Sequence, residues 1–220
     1  MNLLEFDAYI FDLDGTLLQS MQLWDEIYIK VLNDLGIQNQ GDYLQKVNHL
    51  SLKDGAEFTV KHFGLEIKTD YLVDLWTKLA GESYKNTIEL KPQARELLEY
   101  LHSNGKILGV ATALSNELFE PCLKNRDIGK YFKATTSIDE VSRGKGFPDI
   151  YLKESEKLGV KPHNTVVFED SLKGIEGAVS GGFHTIGVWD KTSDKLKEQM
   201  KSACDKYIYT FEELLPNGKR

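Results

Sequence analysis

The sequence predicts a doubly wound parallel α/β domain carrying a helical insert, on three observations. Short apolar runs recur at 8–11, 107–111, 165–168 and 185–189, and more weakly at 134–136 and 206–209. Most are continuous rather than alternating, as strands covered by helices on both faces must be. Segments of helical period separate them from residue 91 onward, such as 93–103 with Leu97, Leu98 and Leu101 on one side, and 149–158 after Pro148. The stretch from about Leu18 to Leu90 offers no strand and breaks that rhythm.

Taken in order, the first run, Ala8 to Phe11, is a strand ending directly at Asp12. In the insert, Leu23, Ile27, Val31 and Leu35 set one apolar face, Phe58 with His62 a second, and Leu72, Leu75 and Leu79 a third. Gly36, Gly41, Gly64 and Pro92 punctuate about four helices. Trp24, Tyr28, Trp76 and Tyr84 could face a ligand, but aromatics at helical spacing are first read as packing residues. The division predicted is 1–17 and 91–220 for the α/β domain and 18–90 for the insert.

Composition narrows the function. The 34 acidic and 27 basic side chains give a net charge of −7, with no basic patch to hold nucleic acid. Two cysteines, 122 and 204, lack the spacing of a zinc site or a disulfide framework, so a reduced cytoplasmic setting is expected. No apolar stretch reaches membrane-spanning length, and Glu5 and Asp7 stand where a signal peptide needs positive charge. A small ligand is therefore expected in preference to a polyanion or a membrane.

The strongest local signal is Phe11-Asp12-Leu13-Asp14-Gly15-Thr16. It puts two carboxylates at the carboxyl end of a parallel strand, where such sheets bind ligands, with Asp12 expected to face solvent. A calcium loop would need ligands at Thr16 and Leu23, which supply neither an acid nor an amide. Thr112 follows the second strong run and opens the polar turn Thr112-Ala113-Leu114-Ser115-Asn116, fit either to hold an anion or to cap a helix. Lys145 lies between Gly144 and Gly146 just before a helix, and a loop lysine is usually only solvated. Glu169 and Asp170 end another strand, where two adjacent acids repel unless a cation lies between them.

These four elements, in this order, resemble the haloacid dehalogenase-like hydrolases over the whole chain. FDLDGT is similar to that family's first motif, Thr112 to its second, Lys145 with Pro148-Asp149 to its third, and Phe168-Glu169-Asp170-Ser171 with Gly174 to its fourth. The insert resembles the helical-bundle cap of the β-phosphoglucomutase-like branch over a Rossmann-like sheet. The resemblance implies a Mg²⁺-dependent phosphatase of a small phosphorylated metabolite, such as a sugar phosphate, working through an aspartyl-phosphate. It gives Asp12 the role of nucleophile and Asp14 that of acid and base. It assigns phosphate binding to Thr112, Ala113, Asn116 and Lys145, and Mg²⁺ to Asp12, Asp14, Glu169 and Asp170. The family's dehalogenases lack the second aspartate, so Asp14 favours phosphate esters over carbon–halogen bonds.

Three alternatives compete. A sugar-phosphate mutase of the same branch would carry a cap arginine where a gap-free comparison puts Leu52, and a histidine where this chain has Trp24. A non-catalytic protein of this fold would have lost Asp12, Asp14, Lys145 or the metal acids, and all are present. A signalling receiver domain is about half this length, has no insert, and places its acid pair before the phospho-acceptor, whereas here the pair comes last.

Overall fold

A computed structural model describes residues 2–38, 41–48 and 50–216. Its strands are β1 (Ala8–Phe11), β2 (Ile107–Thr112), β3 (Phe132–Ser137), β4 (Thr165–Glu169), β5 (His184–Val188) and β6 (Lys206–Ile208). They form one sheet in the order β3-β2-β1-β4-β5-β6, parallel throughout. Each expected strand is present, with ends within two residues of the predicted runs.

Among the described residues of the insert are four helices: α1 (Met21–Asp34), α2 (Tyr43–Val47), α3 (Leu52–Phe63) and α4 (Thr69–Asn86). The sheet is covered by α5 (Ala94–Ser103), α6 (Asn116–Asn125), α7 (Asp149–Leu158), α8 (Leu172–Ser180) and α9 (Lys197–Ala203). The two chain crossings between sheet and insert run side by side. Leu18 bridges Leu90, Gln19 N–H donates to the Glu89 carbonyl at 2.9 Å, and Lys91 N–H to that of Leu17 at 2.8 Å.

Both faces of β1 are buried, which explains its unbroken apolar run. Ile10 joins Val167, Ile150 and Tyr151 on one face, while Tyr9 and Phe11 face a larger cluster on the other. There Phe11 stacks on Phe168 with ring centroids 4.5 Å apart. Burying one such ring contributes about 1.5–3 kcal/mol, so the strand that carries Asp12 is firmly seated.

The helical faces differ from expectation on α1 and on α4. Leu35 lies just past the end of α1 and is 38% exposed, while Trp24, Ile27, Tyr28 and Val31 form the buried stripe. That stripe follows the i, i+3, i+4, i+7 spacing of a helix, which the aromatics complete and Leu35 does not. On α4 the buried residues are Leu72, Trp76, Ala80 and Tyr84, with Leu75 and Leu79 only flanking them. Among the described residues, no helix is long and apolar enough to cross a membrane.

Candidate active site

The sheet reverses its winding direction between β1 and β4, and a ligand crevice opens at that point in folds of this order. Pairing continues one residue beyond β1, for the Asp12 N–H donates to the Phe168 carbonyl at 3.1 Å. This sets Asp12 beside Glu169 and Asp170. Carboxylate oxygens of the three residues lie within 4.8 Å of one another, and all three side chains are buried. Asp12 was expected to face solvent at its strand end. It is instead only 4% exposed, because the insert and the loop bearing Lys145 close over it.

Lys145 reaches into this cluster. Its ammonium pairs with Asp12 Oδ1 and, at 2.5 Å, with Glu169 Oε1. Glu169 also accepts from Tyr151 Oη at 2.8 Å and Ser171 Oγ at 3.0 Å, and Asp12 from Thr16 Oγ1 at 3.3 Å. Burial raises the Asp12 carboxyl to about 7, with Lys145 pulling it down and Glu169 pushing it up. Asp170 is held well above the ordinary carboxylate range by burial and then by Asp12 and Glu169. Burial opposes the charge on Lys145, yet the two carboxylates outweigh it and hold its pKa above the ordinary lysine value. Three acids against one lysine leave a charge of −2 if all are ionised. A hard divalent cation suits this all-carboxylate set and would offset that charge.

Three glycines let these groups approach. A Cβ on Gly15, whose φ is +75°, would lie 2.1 Å from Asp170 Oδ2; one on Gly174 would lie 2.3 Å from the Glu169 carboxyl. On Gly177 it would meet the Lys145 carbonyl at 2.0 Å. No side chain can occupy any of the three without displacing part of the cluster.

Asp14 lies two residues beyond Asp12, in the turn after β1, and is gripped from the insert. Ser20 Oγ donates to its Oδ1 at 2.6 Å and Trp24 Nε1 to its Oδ2 at 3.3 Å, while the Tyr84 hydroxyl also donates to Oδ1. Burial raises its pKa, and these three hydrogen bonds act against that rise.

Thr112 is fully buried, with its hydroxyl accepting from Leu114 N–H at 3.2 Å. Ala113 and Leu114 line the cavity, whereas Thr112 and Asn116 do not touch it. Ser115 Oγ, in the same turn, is buried with no hydrogen-bond partner among the described residues. The cavity, about 510 Å³, runs from Asp12, Asp14, Lys145 and Asp170 out to Trp24, Asn48 and Asp54 of the insert.

The haloacid dehalogenase-like hydrolase family matches residues 9–188, which span all of these groups. The chain belongs to that family. The hydrolase is 33% identical over 183 residues to a phosphorylated carbohydrates phosphatase of Thermotoga maritima, covering 82% of this chain and 83% of the relative. It is 29% identical over 199 residues to hexitol phosphatase B of Escherichia coli, covering 82% of each. In fold it superposes on CbbY of Rhodobacter sphaeroides, a structure in complex with phosphate, with a TM-score of 0.84 at 23% identity over 95% of this chain and 96% of that one. That superposition takes in the helical insertion as well as the sheet.

Two kinds of contact in this hydrolase are not visible in its sequence. Helical spacing marks Trp24 and Tyr84 first as packing residues, yet both polar edges meet Asp14 and Trp24 Nε1 also donates to the Tyr84 hydroxyl at 2.7 Å. Tyr151 lies within the helix that the sequence predicts over 149–158, and its hydroxyl donates to Glu169. The four-residue step from Ser20 to Trp24, one helical turn, sets those two side chains on one face, while no spacing in the sequence connects Tyr84 or Tyr151 with its acid.

Proposed function

We propose that the protein is a Mg²⁺-dependent phosphatase that hydrolyses a small phosphorylated metabolite through an aspartyl-phosphate on Asp12. The buried Asp12–Lys145–Glu169 cluster beside Asp170 carries this reading. In it, residues 1–17 and 91–220 form the catalytic domain and 18–90 the cap that covers the site. The phosphatase relatives support the reaction class, and the two free cysteines suit a reduced cytoplasm.

Asp12 attacks phosphorus, the bond from phosphorus to the ester oxygen breaks, and Asp14 gives that oxygen its proton. Water then attacks the aspartyl-phosphate while Asp14 takes a proton from it, the phosphorus–Asp12 bond breaks, and inorganic phosphate leaves. Asp12, Glu169, Asp170 and the Asp14 main-chain carbonyl would hold Mg²⁺, whose charge screens the approach of a phosphate dianion to Asp12. Lys145 supports the same approach, and the turn from Thr112 to Asn116, which reaches the cavity at Ala113 and Leu114, would steady the phosphate oxygens there.

The test is turnover of p-nitrophenyl phosphate with Mg²⁺, with and without a chelator, alongside Asp12→Asn. Hydrolysis that stops on chelation and is absent in the variant is expected. A full rate in either condition would overturn the assignment.

A further inference from the structure

We infer that this site selects phosphate monoesters whose leaving group is uncharged and rich in hydroxyls, and that Asp54 rejects substrates with a second anion. The inference deepens the phosphatase reading above and rests on it. On the insert side the cavity is lined by Asn48, Leu50, Ser51, Leu52 and Asp54, beyond the rings of Trp24 and Tyr28. Among the described residues of the insert, no cation lines it.

The N-terminus of α3 opens onto this wall, and free N–H groups there would ordinarily favour an anion. Here the chain supplies its own. Ser51 caps the helix by accepting from Asp54 N–H at 3.1 Å and donates its hydroxyl to Asp54 Oδ2 at 2.8 Å. The Asp54 carboxylate is thereby fixed at the place a second phosphate would seek. Across the cavity Lys173 of α8 is accompanied by Glu176 one turn on, so the rim as a whole carries −1 from Asp54, +1 from Lys173 and −1 from Glu176. Lys145 is already engaged by Asp12 and Glu169.

What remains on the wall is the Asp54 carboxylate beside the rings of Trp24 and Tyr28. Asn48 adds no acceptor that a ligand reaches: it donates its amide to Asp25 Oδ1 at 2.7 Å, and its carbonyl oxygen, without a hydrogen-bond partner among the described residues, is sealed from the cavity. An accepting carboxylate matches a ligand that brings donors, and aromatic rings suit the C–H faces of a sugar or polyol.

The experiment compares kcat/KM for fructose 1-phosphate and fructose 1,6-bisphosphate in wild type, Asp54→Asn and Glu57→Gln, with p-nitrophenyl phosphate turned over by wild type first. Glu57 makes the same charge change one turn along α3, away from the cavity lining. Wild type is expected to favour the monophosphate by about tenfold or more, and about 0.5 M KCl to narrow the gap by screening. Asp54→Asn should raise the bisphosphate value about 3–10-fold relative to the monophosphate, with Glu57→Gln leaving the ratio at its wild-type value. If p-nitrophenyl phosphate is not hydrolysed at all, the phosphatase reading and this inference fall together. If it is hydrolysed and Asp54→Asn leaves the ratio unmoved, or Glu57→Gln shifts it equally, this inference alone is overturned.

Discussion

Tyr84, near the end of the last insert helix, donates its hydroxyl to Asp14, seventy positions earlier in the turn after β1. The insert thus holds the group proposed to move protons. Trp24 closes the arrangement by donating to both partners. The orientation of Asp14 therefore depends on how the insert sits over the sheet.

Tyr84→Phe removes that hydroxyl and keeps the ring. A net hydrogen bond is worth about 0.5–1.5 kcal/mol, so kcat should fall about 2–10-fold. The loss should be larger for an alkyl phosphate, whose leaving oxygen needs a proton, than for p-nitrophenyl phosphate, which needs little. Equal losses on both substrates in steady-state kinetics would place Tyr84 in packing alone.

Asp14→Asn preserves shape and removes acid and base together. Rates should drop by ~10²–10⁴. With p-nitrophenyl phosphate the first half-reaction suffers less than the second, so phospho-Asp12 should accumulate and add one phosphoryl mass to the intact protein after rapid quenching. No added mass under those conditions would count against Asp14 as the base.

The glycines separate crowding from chain flexibility. Ala at 15, 174 or 177 forces a methyl against Asp170, Glu169 or the Lys145 carbonyl, whereas a Cβ on Gly144 meets nothing within 4 Å. Each of the first three should lower stability by about 1–3 kcal/mol and remove most activity, while Gly144→Ala keeps both. Urea melts and p-nitrophenyl phosphate rates check this. A fully active Gly177→Ala would show that the Lys145 loop needs no close seat on α8.

Much of the site was legible because its residues lie at strand ends, where an apolar run stops at an acid. Asp12, Glu169 and Asp170 are found by that rule, and Lys145 by its place in the motif order. Contacts such as Tyr84 to Asp14 or Tyr151 to Glu169 depend on how helices pack over the sheet, and a 3.6-residue period shows which face is buried without showing what it touches. The burial of Asp12 was hidden for the same reason. A strand end is solvent-facing only until an insert and a loop cover it.

The missing cap arginine bears on the choice between phosphatase and mutase. Leu52 and Trp24 both line the cavity, and neither can clamp a second phosphate. Of the basic residues next to Leu52 in the sequence, Lys53 is exposed and absent from the lining, and His49 lies outside the described residues. Given β-glucose 1-phosphate, a trace of the 1,6-bisphosphate and Mg²⁺, the protein should release inorganic phosphate faster than it makes glucose 6-phosphate. Phosphorus NMR follows both products, and the reverse order would mean a mutase.

Away from the site, Glu154 of α7 is buried beneath the sheet and ties stability to pH. Thr136 Oγ1 donates to its Oε2 at 2.6 Å, but Oε1 has no partner among the described residues and sits 2.2 Å from where a Cβ on Gly109 would be. Burial raises its pKa to about 7; the Thr136 hydrogen bond, Lys157 and the Val110 N–H pull it down, and Glu140 pushes it up. The ordinary value is 4.5, so between pH 4.5 and 7 the folded protein keeps a proton that the unfolded chain has lost. Folding then takes up a proton, and stability from this group falls as pH rises through that window, by up to about 3 kcal/mol above pH 7. Glu154→Gln cannot titrate and keeps an acceptor for Thr136. Its urea midpoint should exceed that of wild type at pH 8 and lose that advantage at pH 5, where wild type holds the neutral acid. A constant offset between the two proteins across the same range would show that Glu154 is ionised in the fold throughout.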